Sequence, residues 1–475
     1  MRADLGPVAA NLLMLAAGAG VLLGLRVPLR TWPARLGALG LAYVTGVGAT
    51  MLALTALLVV GVPFGLVTFV ATALAIGSAG AAAALLRLRR EGPDPASARA
   101  RPAWPLISAG RRPTVDGAAV IVFAVALAIV GVYGFDAMRS EPLDQWDGWS
   151  IWTRKAVMLV HVDTLASDFW TAPTYEFMHQ DYPLVVPLLE AVFFRAGASV
   201  DTQAVHGQLW LLLVGFVWAA AWVAARVTRP VVWAPLLLLL LLAPGASSQL
   251  FAGYADVPMA LFLGLGVLLA GLWLDRREPW QLWLAALMLG AAAGVKNEGL
   301  LGAVAALACL TAVVAAGRER RALVRVGAGW AVFLATVLPW RIWMLANDVS
   351  GDLPLGKGLD PTYLADRSDR FWPSVEALEG QMGDQGTWFF LIPLGAALAI
   401  AALIAGVRRA AAAFYLATGF TVFLGLVWAY WIARSDLAWH LTTSAYRVVA
   451  GVVLVCAAAA LHLGGALAPG RAARD

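Results

Sequence analysis

About thirteen apolar runs, most of them close to the length that crosses a hydrocarbon layer, recur along this chain with short polar breaks between most of them. A bilayer core takes roughly 20 apolar residues per helix. The runs centre on 8–25, 36–60, 64–86, 117–135, 205–225, 231–243, 257–274, 280–295, 299–316, 326–344, 388–407, 412–433 and 446–464. With 61% hydrophobic and 13% charged residues, against about 45–50% and about 25% in ordinary globular chains, a soluble multidomain enzyme, a disordered chain and a nucleic-acid-binding protein are all excluded. Cys309 and Cys456 both lie inside apolar runs, which leaves no disulfide framework and no cysteine metal site. The expected fold is an all-α polytopic membrane protein.

The breaks alternate in charge. One set carries Arg26, Arg30 and Arg35, the Arg87–Arg112 stretch, Arg226, Arg229, Arg276, Arg277, Arg318 to Arg325, Arg408, Arg409, Arg471 and Arg474. It collects about two thirds of the basic residues and a quarter of the acidic ones. Lys/Arg-rich loops stay cytoplasmic, so the N-terminus is expected outside and the C-terminus in the cytoplasm. The net charge of +5 therefore records orientation rather than an acidic partner. The first run resembles a signal peptide but has no clear cleavage site and continues the alternation, so it reads as a helix. The organisation expected is a three-helix membrane segment (1–90), a cytoplasmic linker (91–116), a transmembrane body (117–465) and a cytoplasmic tail (466–475). Only two outer loops are long, 136–204 and 345–387. The first contains a short apolar piece, Leu184–Ala196, expected to be an interfacial or re-entrant helix. Long loops are uncommon unless functional, which puts the chemistry at the outer face. The Ala- and Arg-rich, Lys-poor composition points to a high-GC bacterium and hence to its inner membrane.

The candidate residues fall in those outer segments. Asp144 and Asp147 are three residues apart, share one helical face and can converge on a substrate, one as base and one as its orienting partner. Trp146, Trp149 and Trp152 between and after them suit sugar stacking or an interfacial aromatic belt. Asp181 precedes Tyr182-Pro183 and is either a substrate contact or a helix N-cap. Glu190 sits in the apolar piece, where an ionisable group is costly and functional by default, or else faces the aqueous side. Asp256 lies near the start of a span, as N-cap or ligand. The three lysines, Lys155, Lys296 and Lys357, all fall on the outer side; Lys296 and Glu298 either pair with each other or hold a lipid-linked phosphate. Arg341 opens the second long loop. His440 and Arg447 flank Thr442, Thr443 and Ser444 directly before the last span. An arginine at a helix start opposes the dipole, so Arg447 calls for a local anion, and the hydroxyls with the helix N-terminus make a candidate phosphate site. No Walker loop, dinucleotide fingerprint, His/Cys metal spacing or GxSxG elbow occurs.

With these residues in order, the chain resembles the GT-C superfamily of integral-membrane glycosyltransferases, in particular the aminoarabinose, protein O-mannosyl and lipid A galacturonosyl transferases, over residues 117–465. The resemblance rests on the acidic outer loop with Asp144 and Asp147, a partial match at Tyr182-Pro183 with Leu184 in place of a second proline, the Lys296-Asn297-Glu298-Gly299 turn, and the Thr443 to Arg447 element. It implies a polyprenyl-phosphate sugar donor, a lipid, glycan or protein acceptor, and Asp144 or Asp147 as general base. It further implies cation support of the phosphate by Lys296, Arg447 and Arg341. A divalent ion on Asp144, Asp147 and Glu298 is compatible with this chemistry, but no tight metal site is expected. Two rivals use the same outer residues: a transporter or flippase of a lipid-linked or small anionic substrate, and an O-antigen ligase-like enzyme for which Arg447 and His440 matter most. Charges gathered at span ends rather than at midplane favour an interfacial enzyme.

Overall fold

A computed structural model of the chain describes residues 2–29, 31–91, 115–351, 353–354 and 356–467. Nearly all of the expected linker at 91–116 and most of the tail at 466–475 lie outside the described residues. The described residues form helices and no strand. In chain order these are α1 (Arg2–Gly24), α2 (Trp32–Gly37), α3 (Leu39–Val59), α4 (Leu66–Glu91), α5 (Val115–Ser140), α6 (Arg154–Val162) and α7 (Val185–Gly197). The body continues with α8 (Thr202–Ala224), α9 (Pro230–Leu241), α10 (Pro244–Phe251), α11 (Asp256–Arg276), α12 (Pro279–Val295), α13 (Asn297–Ala316) and α14 (Arg320–Ala346). The second long loop holds α15 (Pro361–Ala365), α16 (Phe371–Gly383) and α17 (Gln385–Trp388). The chain then closes with α18 (Leu391–Ile404), α19 (Arg409–Ile432), α20 (Leu437–Val448) and α21 (Ala450–Leu463).

Each apolar run coincides with a helix. Among the described residues 11 helices are long and apolar enough to cross a membrane, with α9–α10 and α20–α21 each counted as one. The runs at 280–295 and 388–407 become α12 and α18, of 17 and 14 residues, which fall short of a full crossing by length. This is a multi-pass membrane protein. Its exposed apolar surface agrees: α5 presents Ile121, Val125, Ile129 and Val132 outward, while the apolar length of α11 is wholly buried.

Glycine and alanine set the spacing between helices, because without a hydrophobic drive in lipid close backbone approach does the packing. Gly40 on α3 lies against the α8 backbone at Ala219, and Gly395 on α18 against Cys456 on α21. The N-terminal helices thereby pack into the body. The arginine-bearing turns meet at one end of the bundle. There Arg87 donates to the Gly24 carbonyl, Arg276 to the Arg226 carbonyl at 2.5 Å, and Arg277 to Glu319 at 2.6 Å. At the same end Asp275 joins His462 at 2.9 Å and Arg408 at 3.1 Å.

The opposite end carries the loops. The apolar piece of the first loop is α7, and Val185 to Phe194 are buried on every side, against α1, α3 and α6. Glu190 does not face water: it is fully buried. The helix also starts later than Asp181 requires for an N-cap, since its cap position is Leu184.

Candidate functional site

The site is built where five chain segments meet at the loop-bearing end. After α5 the chain turns through Asp144 and Asp147 into a wide π-helical turn, Gly148–Thr153, that runs straight into α6. Such turns are rare insertions in α-helices and concentrate at functional sites. Two glycines bring this turn against the start of α11. A side chain at Gly148 would put its Cβ 2.2 Å from the Ala252 carbonyl oxygen, and Gly253 opposite adopts φ +67, a conformation open to glycine at no steric cost. Asp147 is thereby delivered beside Tyr254.

Arg447 receives it. Its Nη1 lies 2.5 Å from Asp147 Oδ2, and its guanidinium sits 4.6 Å from the Tyr254 ring centre. The expected placement of Arg447 at a helix start does not hold: it lies in the last turn of α20, where a cation suits the dipole. The hydroxyls proposed as its phosphate partners turn back on their own helix. Thr442 donates to Ala438, Thr443 to Trp439 and Ser444 to His440 carbonyls, at 2.9, 2.8 and 2.6 Å. His440 stands further out on α20, against the Tyr430 ring and 3.2 Å from Ser435 Oγ.

Lys296 forms the second cationic point. It is the single extended residue between α12 and α13, so the turn aims its side chain inward. Nζ donates to Asp256 Oδ1 at 2.7 Å and lies 3.2 Å from Glu298 Oε1. Burial disfavours the ammonium, but the Asp256 and Glu298 carboxylates outweigh it and hold the Lys296 pKa above its ordinary value, with Arg447 opposing them. Asp256 is no N-cap, since Ala255 holds that position. It is instead the buried carboxylate within electrostatic reach of both Lys296 and Arg447.

From Lys296 the network continues sideways. Asn297 Nδ2 donates to Asp181 Oδ2 at 2.5 Å and Asn297 Oδ1 accepts from Arg341 at 2.6 Å. Arg341 lies within the last turns of α14 rather than in the loop, and Trp340 beside it donates to the Asp181 carbonyl at 3.0 Å. Tyr182 stacks between His179 and Trp152, with ring centres 4.7 and 5.3 Å away and Lys296 Nζ 5.8 Å from its own. Glu190 stands apart from this network; burial pushes its carboxyl up to about 8, with Thr153 opposing.

A pocket of about 430 Å³ opens next to Arg447, lined among others by Glu141, Asp144, Gln249, Tyr254 and Tyr446. Asp144 and Asp147 therefore part company: one faces the pocket, the other grips a guanidinium. Among the described residues no three His, Cys, Asp or Glu side chains are grouped to hold a metal ion, so Asp144, Asp147 and Glu298 are not one ligand set.

Sequence reading assigned no role of their own to Asn297, Gln249 and Lys155. Asn297 was screened by its charged neighbours, and Gln249 by an unremarkable Ser-Ser-Gln stretch. Lys155 is fully buried and donates to the His179 and Tyr182 carbonyls at 2.5 and 3.2 Å; the rarity of lysine in this chain was the available signal. Comparison with protein-family models, curated proteins and solved structures finds no significant match.

Proposed function

We propose that this chain is a GT-C-type membrane glycosyltransferase, moving a sugar from a polyprenyl-phosphate carrier to an acceptor hydroxyl at the outer face with inversion at the anomeric carbon. One observation carries the reading: Lys296 and Arg447, both largely buried, alternate with Asp147, Asp256 and Glu298 beside a pocket that Glu141 and Asp144 line at the loop-bearing end. The arginine-bearing turns at the far end support an outside N-terminus and a cytoplasmic C-terminus, and the Ala- and Arg-rich, Lys-poor composition supports a bacterial inner-membrane setting. In this reading α12 and α18 serve as short spans, giving about thirteen.

In the proposed reaction Asp144, which opens on the pocket, takes the proton of the acceptor hydroxyl. That oxygen forms the new bond to the anomeric carbon as the carbon–phosphate oxygen bond breaks, and the electron pair leaves with the polyprenyl phosphate. Phosphate is already a good leaving group, so the protein's work is alignment and charge stabilisation. Both cations are matched by carboxylates, so an incoming phosphate must replace one. Asp256 is 1% exposed and fixed on Lys296, whereas Asp147 is 25% exposed; Asp147 is the partner that yields Arg447. Asn297 holds Arg341 and Asp181 together at the rim. An apolar groove between α5 and α8, lined by Phe123, Leu127, Phe135 and Val214, ends within two helical turns of Glu141 at the pocket and suits the isoprenoid tail.

The test is a transfer assay with purified protein and radiolabelled polyprenyl-phosphate sugars, beside Asp144→Asn and Asp147→Asn. Loss of transfer of about 10²-fold or more is expected for Asp144→Asn. Undiminished transfer in Asp144→Asn overturns the base assignment.

A second reading, a proton-coupled transporter or flippase, draws on Glu190, a fully buried carboxyl that burial pushes up to about 8. Substrate flux in vesicles without consumption of any polyprenyl-phosphate sugar decides for it.

A further inference from the structure

We infer that the pocket beside Arg447 holds a sugar ring that carries no negative charge, and that its lining rejects uronic acids and phosphorylated rings. The inference deepens the transferase reading and rests on it for the identity of the ligand as a sugar.

Three features of the pocket carry it. Its volume, about 430 Å³, lies inside the roughly 300–1,000 Å³ range of small-molecule sites. Its charged lining is of one sign: Glu141 and Asp144 at the mouth are acceptors, and no basic side chain lines it. Its wall contains Gln249, which is 1% exposed with neither its Nε2 nor its Oε1 hydrogen-bonded. A buried amide left without partners costs the full desolvation of both groups, and such a group in a native fold calls for an explanation. A ring hydroxyl supplies one: it accepts from Nε2 and donates to Oε1 through the same oxygen or its neighbour. Tyr254 and Tyr446 offer flat walls, and the Tyr254 ring has Arg447 on it. A ring in the pocket is thus next to the cation proposed for its phosphate, while a carboxylate or second phosphate on the ring meets Glu141 and Asp144.

Ligand chemistry also decides the rank order. Hydroxyls donate to carboxylates, an ammonium does so with charge assistance, and a uronate carboxylate repels them. Amine-bearing rings should bind at least as well as neutral ones, and uronates worse.

The experiment is saturation-transfer NMR on the full detergent-solubilised chain with methyl glucoside, methyl glucosaminide and methyl glucuronide. Binding of the first two is expected, with the glucuronide weaker by about tenfold or more. Gln249→Leu should weaken methyl glucoside by a similar factor, and the double change Glu141→Gln, Asp144→Asn should narrow the gap between glucoside and glucuronide. That double change lies at the exposed mouth, so it reports even if Gln249→Leu fails to fold. Equal binding of all three glycosides, or binding of none, overturns the inference. So does a gap that the double change leaves intact. None of these results touches the cation centre, because its own test, consumption of a polyprenyl-phosphate sugar, needs no free glycoside to bind.

Discussion

Arg447 in the last turn of α20 donates to Asp147, at the entry to the π-helical turn of the first loop, across 2.5 Å. This one contact ties the segment before the final helix to a loop some 300 residues earlier. Asp147 is the more exposed partner of the pair, and it is the link that the proposed reaction exchanges for phosphate.

Breaking that contact should separate two effects. Arg447→Ala leaves Asp147 partly exposed and able to find water, so a loss of about 1–2 kcal/mol is expected, above a surface pair and below a buried one. Transfer should fall much further than stability. Asp147→Asn should cost similar stability but retain donor affinity, because Arg447 is then free for phosphate. Thermal unfolding in detergent, run with the donor assay, checks both; equal damage to donor binding by the two variants contradicts the exchange of Asp147 for phosphate.

The Lys296–Asp256 pair is buried on both sides. Removing one partner strands a charge, at a cost of about 3–5 kcal/mol, while removing both is milder. Lys296→Met and Asp256→Asn should each lower the unfolding midpoint strongly, and the double variant should recover part of the loss. Strict additivity in the double-mutant cycle argues against a direct pair.

Stability should depend on pH through Glu190. Its carboxyl is raised from 4.5 to about 8, so between those values the folded chain holds a proton that the unfolded chain has released. Stability contributed at low pH is lost as pH rises through this window, by on the order of 5 kcal/mol once above about 8. Glu190→Gln should flatten the fall in unfolding midpoint between pH 5 and 8. An identical slope in the variant assigns the pH dependence to other groups.

Gly148 should tolerate nothing larger. The Cβ of Gly148→Ala meets the Ala252 carbonyl oxygen, which is backbone and cannot swing aside. Overpacking of this kind costs about 1–3 kcal/mol, and the turn carrying Asp147 must move. Transfer should drop while the helical content measured by circular dichroism stays unchanged.

Much of this architecture is legible in the chain itself, and the reasons are local. A run such as 257–274 has no alternative to a helix in lipid, because its backbone polar groups find partners only within the segment. Charge is just as local in its effect, so Arg226, Arg276 and Arg318 sort to one end without regard to packing. Legibility fails where a side chain's partner lies far along the sequence. Asp181 and Asp256 look like caps beside prolines and helix starts, yet one binds Asn297 and the other Lys296. Arg447 looks like the first residue of a span because hydropathy does not register the turn at Val449 between α20 and α21.

The sequence by itself determined an all-helical, many-span protein, the two chemical characters of its ends, and the set of ionisable residues held at the loop-bearing end. Those follow from hydrophobicity and charge, which add along the chain residue by residue. Tertiary structure alone decided that Asp147 grips Arg447 while Asp144 faces a pocket, that Glu190 is buried, and that Gln249 stands unpartnered in a wall. Those depend on helix rotation and on the close approach allowed by Gly148 and Gly253. A rotation of about 100° per residue turns a neighbour in sequence away from the site and brings a distant residue into it.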